Sequence, residues 1–144
     1  MTQKDIDAVR AFNRFYTRVI GLLDKHILNS NYSLPEVRIM YELYHHKSLT
    51  ASDIIALLHL DKGYLSRILR QFEKKKTVTK VRSKNDGRST RISLTHSGTN
   101  EFERLNIASN EQIGRILSLL TKEETGSLVS HMKEIKSILE KAKL

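Results

Sequence analysis

The apolar residues of this chain follow a helical period along most of its length, and the period changes in one short region. Val78–Arg82 and Ser89–Leu94 are rich in Val, Thr and Ile, which favour β-strands. Asp86-Gly87 between them is a strong hairpin signal. Helical spacing resumes after Thr95. The sequence therefore predicts a mainly α protein with one small β-hairpin.

The first segment carries an apolar stripe at spacings of three and four, as on one face of a long helix: Ile6, Val9, Phe12, Phe15, Tyr16, Val19, Ile20, Leu23 and Ile27. Capping signals predict where later helices begin. They are Ser33 with Glu36, Thr50 with Asp53, Asp61, and Thr121 with Glu124. The helix that begins after Asp61 should run to about Lys76. The predicted order is four helices, the hairpin and two further helices.

Length and composition exclude several classes of protein. A chain of 144 residues suits one compact domain, and the absence of cysteine excludes disulfides and thiol-oxidation sensing. No apolar run approaches the roughly 18 residues of a membrane span. The start Met1-Thr2-Gln3-Lys4-Asp5 does not resemble a signal peptide. We therefore expect a cytoplasmic protein with no membrane partner.

The net charge of +9 is concentrated in one quarter of the chain. Residues 60–95 contain eleven basic and three acidic side chains, while the other residues contain fourteen basic and thirteen acidic ones. Charge localised in this way is typical of a protein that binds a polyanion. A basic face without a partner, exposed to solvent, is the alternative.

Two short helices joined by a tight turn and followed by a hairpin form the winged helix-turn-helix pattern. In the second helix Leu65, Ile68, Leu69 and Phe72 must face the core. The remaining polar surface, which suits groove reading or phosphate contacts, is Lys62, Gly63, Tyr64, Ser66, Arg67, Arg70, Gln71 and Lys74. Arginine can pair with guanine and glutamine with adenine, and Gly63 would let the backbone approach the duplex closely. The alternative is an ordinary amphipathic helix.

The hairpin adds four positive charges: Arg82, Lys84, Arg88 and Arg91. These four positive charges repel one another unless the hairpin lies along a nucleic-acid backbone or inside a minor groove, where phosphates offset the repulsion. Asp86 would fix the turn or orient Arg88. These residues complete the predicted interface with double-stranded DNA.

Two blocks of the sequence resemble a known family. Leu60-Asp61-Lys62-Gly63-Tyr64-Leu65-Ser66-Arg67-Ile68-Leu69-Arg70 is similar to the recognition-helix region of the MarR family of bacterial regulators. Asp86-Gly87-Arg88 and Leu94-Thr95-His96-Ser97-Gly98 resemble its wing and the start of its next helix. The blocks lie at the family's spacing, and the helix order matches from end to end. The chain departs from the family at Lys76-Thr77-Val78, where a glycine and two apolar residues are usual, so the helix is expected to end differently and the first strand to be less buried.

The resemblance implies a single domain over residues 1–144. Residues 1–30 and 98–144 would form the platform of a homodimer, and residues 33–95 the winged helix-turn-helix lobe. It also implies a transcriptional repressor that binds a near-palindromic operator, with Arg88 entering the minor groove. A small anionic or phenolic effector would release the DNA. Tyr16, Tyr41 and Tyr44 are candidates to line its pocket, although tyrosines at such positions are more often ordinary core residues.

Other functions have less support in the sequence. No two of the six histidines have the i, i+4 spacing of a helical metal-ligand pair, so we expect no metal. Ser66 and Ser97 have no sequence-local catalytic partner, and no glycine-rich phosphate loop occurs. We therefore expect a protein that is not an enzyme and needs no cofactor. An architectural DNA binder without an effector and a winged-helix protein-interaction module remain open alternatives.

Overall fold

A computed structural model describes residues 2–21, 30–82 and 89–142. The helices are α1 (Gln3–Val19), α2 (Leu34–His46), α3 (Ala51–Leu58), α4 (Lys62–Lys74), α5 (His96–Leu117) and α6 (Lys122–Glu140). The strands are β1 (Leu49–Thr50), β2 (Val78–Arg82) and β3 (Thr90–Leu94). The mainly α fold class with a small antiparallel β structure is therefore confirmed. The predicted hairpin tip, with Lys84, Asp86 and Arg88, lies outside the described residues, as do Leu23 and Ile27.

Local capping determines where the helices begin. The Glu36 carboxylate accepts hydrogen bonds from the backbone N–H and the hydroxyl of Ser33, at 2.7 and 2.8 Å. Thr50 with Asp53, and Thr121 with Glu124, form the same reciprocal capping boxes at the starts of α3 and α6. Such boxes satisfy N–H groups that the first helical turn leaves without partners. The four predicted start sites are confirmed.

The end of α4 differs from the prediction, because the helix stops at Lys74 and not near Lys76. The N–H of Lys76 donates to Glu73 O and the N–H of Thr77 to Phe72 O, both at about the usual length, 2.9 and 2.8 Å. This is a Schellman ending, in which the residue after the cap adopts a left-handed backbone. Lys76 has φ 57°, a conformation that favours glycine.

The sheet has three strands, where the sequence predicted only a two-stranded hairpin. Its order is β1-β3-β2, and both pairings are antiparallel. Leu49 pairs with Ile92, and Val78 pairs with Leu94. Strand β1 has only two residues, so no periodicity could reveal it. In β2 Val78 is buried and the other four residues are exposed.

The chain divides into two compact units, Met1–Asn106 and Ile107–Leu144. The first unit contains the hydrophobic core, whose most deeply buried large side chains are Phe72, Ile39, Met40, Leu43, Ile54, Leu65 and Ile92. In the second unit α6 has no buried residue, and its apolar side chains are exposed. No helix in the described ranges is long and apolar enough to cross a membrane.

Candidate nucleic-acid interface

Helix α4 separates a buried face from a basic face. Leu65, Ile68, Leu69 and Phe72 are buried, as their spacing predicted. The predicted contact residues of α4 are exposed, apart from half-buried Tyr64: Lys62, Gly63, Ser66, Arg67, Arg70, Gln71 and Lys74. Because one face packs against the core, the other face is held at a fixed orientation on the surface of the first unit.

The start of α4 is organised by Asp61. Its Oδ1 accepts a hydrogen bond from the backbone N–H of Tyr64 at 2.8 Å. A Cβ at Gly63 would lie 3.2 Å from that oxygen, so the glycine leaves room for the cap. The guanidinium carbon of Arg67 lies 5.6 Å from the centre of the Tyr64 ring, within the range of a cation–π contact. The ring of Tyr64 thus contacts the Arg67 side chain on the surface of α4.

The carboxylates described close to α4 are engaged with other groups than its basic face. Asp61 is occupied by the cap, and Glu73 accepts from the Lys80 ammonium at 2.7 Å. Among the ion pairs of the described residues, none involves Arg67, Arg70 or Lys74. Their charges therefore remain available to a partner.

Two other basic residues hold the sheet. The Lys80–Glu73 pair connects β2 to α4. Arg91 on β3 donates from Nε to the Ser48 hydroxyl and from Nη2 to the Ser48 carbonyl oxygen, at 2.6 and 2.7 Å. The sequence predicted that Arg91 meets phosphate or solvent, but this side chain has an internal role at the start of β1. Ser48 lies 43 residues earlier, so sequence-local reasoning could not find the pair.

The remaining basic residue of the described strands is Arg82, which is exposed at the end of β2 and pairs with Thr90 across the sheet. It lies at the end of the sheet from which the predicted tip begins. Lys84, Asp86 and Arg88 fall in the interval 83–88, outside the described residues.

The three candidate pocket tyrosines do not form one aromatic cluster in the described part of the chain. Tyr16 stacks on Phe12 of its own helix, with ring centres 5.6 Å apart. Tyr41 and Tyr44 both contact the Phe102 ring, at 6.2 and 4.7 Å. The Tyr44 hydroxyl also donates to Glu103 at 3.2 Å.

Two cavities lie elsewhere in the first unit. One, of about 390 Å³, lies between α3, α4 and the sheet, and its lining includes Lys62, Ser66 and Lys80. The other, of about 280 Å³, is lined by Asn31, Tyr32, Lys75, Thr77, Ser97 and Glu101. Within residues 2–21, 30–82 and 89–142, no group of three His, Asp or Glu side chains is placed to hold a metal ion.

Comparison with known proteins matches one segment of the chain to a known family. Residues 32–90 match the MarR family, from the residue before Ser33 through the first residue of β3. This part of the chain, which contains α4 and its basic face, is similar to the MarR family.

The chain is also 39% identical over 77 residues to the organic hydroperoxide resistance transcriptional regulator of Bacillus subtilis. That alignment covers 54% of this chain and about half, 50%, of the relative's length.

Solved structures share the MarR fold. A mutant of MarR from E. coli complexed with operator DNA superposes with a TM-score of 0.72 at 19% identity, covering 92% of this chain and 95% of the other. Bordetella bronchiseptica BpsR, described as regulated in DNA binding by 6-hydroxynicotinic acid, gives a TM-score of 0.70 at 14% identity, with 90% and 98% covered.

Proposed function

We propose that this protein is a sequence-specific, DNA-binding transcriptional regulator, a homodimeric repressor that binds a near-palindromic operator. The observation that carries the proposal is the exposed basic face of α4, whose Arg67, Arg70 and Lys74 have no carboxylate partner among the described residues. Their helix belongs to the part of the chain that matches the MarR family. Two such helices, one from each protomer, would enter successive major grooves.

Each exposed residue type suits a different contact. Arg67 and Arg70 would read base edges, because a guanidinium can pair bidentately with guanine. Gln71 and Ser66 would contact neighbouring bases, and Lys62 would contact phosphate near the helix start, where the helix dipole also attracts anions. Arg82 would contact phosphate from β2, and Arg88 would enter the minor groove.

Selection of genomic fragments by the purified protein, followed by footprinting, tests DNA recognition. We expect protection of two half-sites about one helical turn apart. The double variant Arg67→Ala/Arg70→Ala should lose about 1–3 kcal/mol for each base contact in a half-site and should discriminate poorly at those base pairs.

The variant Arg10→Ala/Arg14→Ala is the matched control, because it removes the same charge from exposed positions on α1. It should affect all DNA sequences weakly and equally, through long-range charge alone. Unchanged operator affinity in the Arg67/Arg70 variant would place the reading surface elsewhere.

The exposed apolar side chains of α1 and α6 support the homodimer. Val9, Phe12 and Phe15 are each about half exposed on α1. On α6 the exposed apolar residues are Leu128, Val129, Met132, Ile135, Ile138 and Leu139. Apolar stripes of this length are usually covered by a partner.

Sedimentation at micromolar concentration should give twice the 16.6 kDa of one chain. Ile135→Glu should dissociate the dimer, since it places a charge within the apolar stripe. Ser130→Glu is the matched control, because position 130 lies on the opposite side of α6 by helical geometry. A wild-type monomer that binds its operator tightly would refute the dimer.

A small anionic or phenolic effector is the proposed signal. It is supported by the fold shared with BpsR, whose DNA binding is regulated by 6-hydroxynicotinic acid. Tyr41 and Tyr44 would contact it beside Phe102. Titration of the protein–operator complex with 6-hydroxynicotinic acid and other aromatic carboxylates tests the signal, and Tyr41→Ala should weaken any release.

Two alternatives make different predictions for the same experiments. An architectural DNA binder would protect DNA without a preferred operator. A protein-interaction module would lack the steep salt dependence that follows when cationic side chains displace counterions from DNA.

A further inference from the structure

A small set of hydrogen bonds joins the end of the recognition helix α4 to the start of α5. The Thr95 hydroxyl donates to the carbonyl oxygen of Lys76 at 2.6 Å, and the Thr95 backbone N–H donates to Thr77 O at 3.0 Å. The same hydroxyl oxygen accepts from the backbone N–H of Gly98 at 3.0 Å, so it also caps α5. We call Lys76, Thr77, Thr95 and Gly98 the clasp.

Gly98 makes the clasp possible by its size. A Cβ built at this position would lie 2.0 Å from the carbonyl oxygen of Thr77, closer than any real contact. The first turn of α5 therefore lies directly against the backbone between α4 and β2. Gly98 and Thr77 are buried and Thr95 is half-buried, whereas the hydrogen bond from the Thr95 hydroxyl to Lys76 O is exposed.

The position of the clasp connects the two elements proposed to read DNA. Lys76 and Thr77 link α4 to β2, and Thr95 follows the last residue of β3. Val78 and Leu94 pair immediately beside it. The base of the β2–β3 sheet is therefore fastened to the end of the recognition helix. The partly exposed Lys80–Glu73 ion pair adds a second connection between α4 and β2.

We propose that Thr95 is a positioning residue, which fixes the distance between the recognition helix and the wing strands through its hydroxyl. The protein would then accept only operators in which the base pairs read by the helix and by the wing have one spacing. The proposal rests on the proposed DNA-binding function, and it adds a determinant of specificity that itself contacts no DNA.

The test compares the full-length protein with Thr95→Val, which keeps the side-chain shape but loses the hydroxyl, and Thr95→Ser, which keeps the hydroxyl. Each protein is titrated with the selected operator and with operators that have one base pair added between the half-site centre and its flank. The readout is the ratio of the two Kd values. A structural role alone would lower both affinities and leave this ratio unchanged.

Wild type and Thr95→Ser should bind the lengthened operators at least about tenfold more weakly, a penalty comparable with one mismatched base pair. In Thr95→Val the ratio of the Kd for the lengthened operator to the Kd for the selected operator should be smaller by threefold or more. This is on the order of the coupling that a lost positioning contact produces. An unchanged ratio in Thr95→Val overturns the proposal.

Thr95→Asp is a second test variant, included in case Thr95→Val does not fold. Aspartate is a good helix cap and can accept from Gly98, but its carboxylate cannot donate to Lys76. Its extra negative charge weakens both operators alike, so the ratio should fall as in Thr95→Val; an unchanged ratio again overturns the proposal. If the wild-type protein protects no DNA site, the proposed function itself fails.

Discussion

Replacing Lys76 by glycine should stabilise the protein. Lys76 is the residue after the C-cap of α4, and its φ of 57° lies in the left-handed region. Its side chain is exposed, and its backbone makes the Schellman hydrogen bond that ends the helix. Glycine adopts the same backbone conformation without a Cβ, so Lys76→Gly keeps the hydrogen bond and removes the steric conflict.

The size of the effect follows from two opposing contributions. A residue with a Cβ in the left-handed region costs about 1–2 kcal/mol. Glycine increases the conformational entropy of the unfolded chain, which offsets about 0.4–1 kcal/mol of the gain. The free energy of unfolding should therefore rise by about 0.5–1 kcal/mol in Lys76→Gly. For a chain of this length that corresponds to an increase in Tm of roughly 2–4 °C.

Thermal and urea unfolding at one fixed protein concentration measure this change, since an oligomer's stability depends on concentration. Lys76→Ala is the matched control, because it removes the same charge and side chain but retains the Cβ. It should not be stabilised. Equal stabilisation of the alanine and glycine variants would refute the reasoning, since relief of charge repulsion among Lys74, Lys75 and Lys76 would then explain both.

Three further predictions concern folding. Gly98→Ala should lower the free energy of unfolding by about 1–3 kcal/mol, because the added methyl group overpacks the site. Gly126 has open space around it, so Gly126→Ala should raise the free energy of unfolding by about 0.5–1 kcal/mol. Equal urea midpoints for the two variants would contradict this. Leu69→Ala should cost about 2–5 kcal/mol because the side chain is buried, and a change below 1 kcal/mol in the same titration would contradict the packing. Hydrogen bonds from Thr50 lower the pKa of Asp53, so this contact stabilises the fold above the unfolded-state pKa and is lost as pH falls through the lower folded-state pKa. Asp53→Asn should therefore lose less stability than wild type between neutral and acidic pH, and an identical acid profile would refute that role.

The elements that sequence reasoning placed well are those whose signals lie within a few residues. The capping boxes at Ser33, Thr50 and Thr121 join residues three positions apart, so the sequence itself contains both partners. The buried stripe of α4 was also predictable, because side chains three and four apart share one face.

The features that sequence reasoning missed depend on residues far apart in the chain. Strand β1 exists because Leu49 pairs with Ile92, and Arg91 reaches back to Ser48. A strand of two residues has too few positions to show a period. No residue near Arg91 in the sequence indicates that its partner lies 43 residues away. The clasp is similar, because only the fold brings Thr95 against the turn after α4.

Contacts between residues far apart in the chain also explain why the number of basic residues does not by itself define the candidate interface. The sequence shows eleven basic residues between positions 60 and 95 and treats them alike. In the fold Lys80 is paired with Glu73, Arg91 holds Ser48, and the Lys75 ammonium lies 5.1 Å from the centre of the Tyr32 ring. These three cations already make contacts within the first unit. Arg67, Arg70 and Lys74 of α4 have no carboxylate partner among the described residues, and the ring contact of Arg67 is with Tyr64 of the same helix. Among the described residues, these cations of α4 thus lie on the exposed face of a helix that the core holds on its other face and the clasp holds at its end.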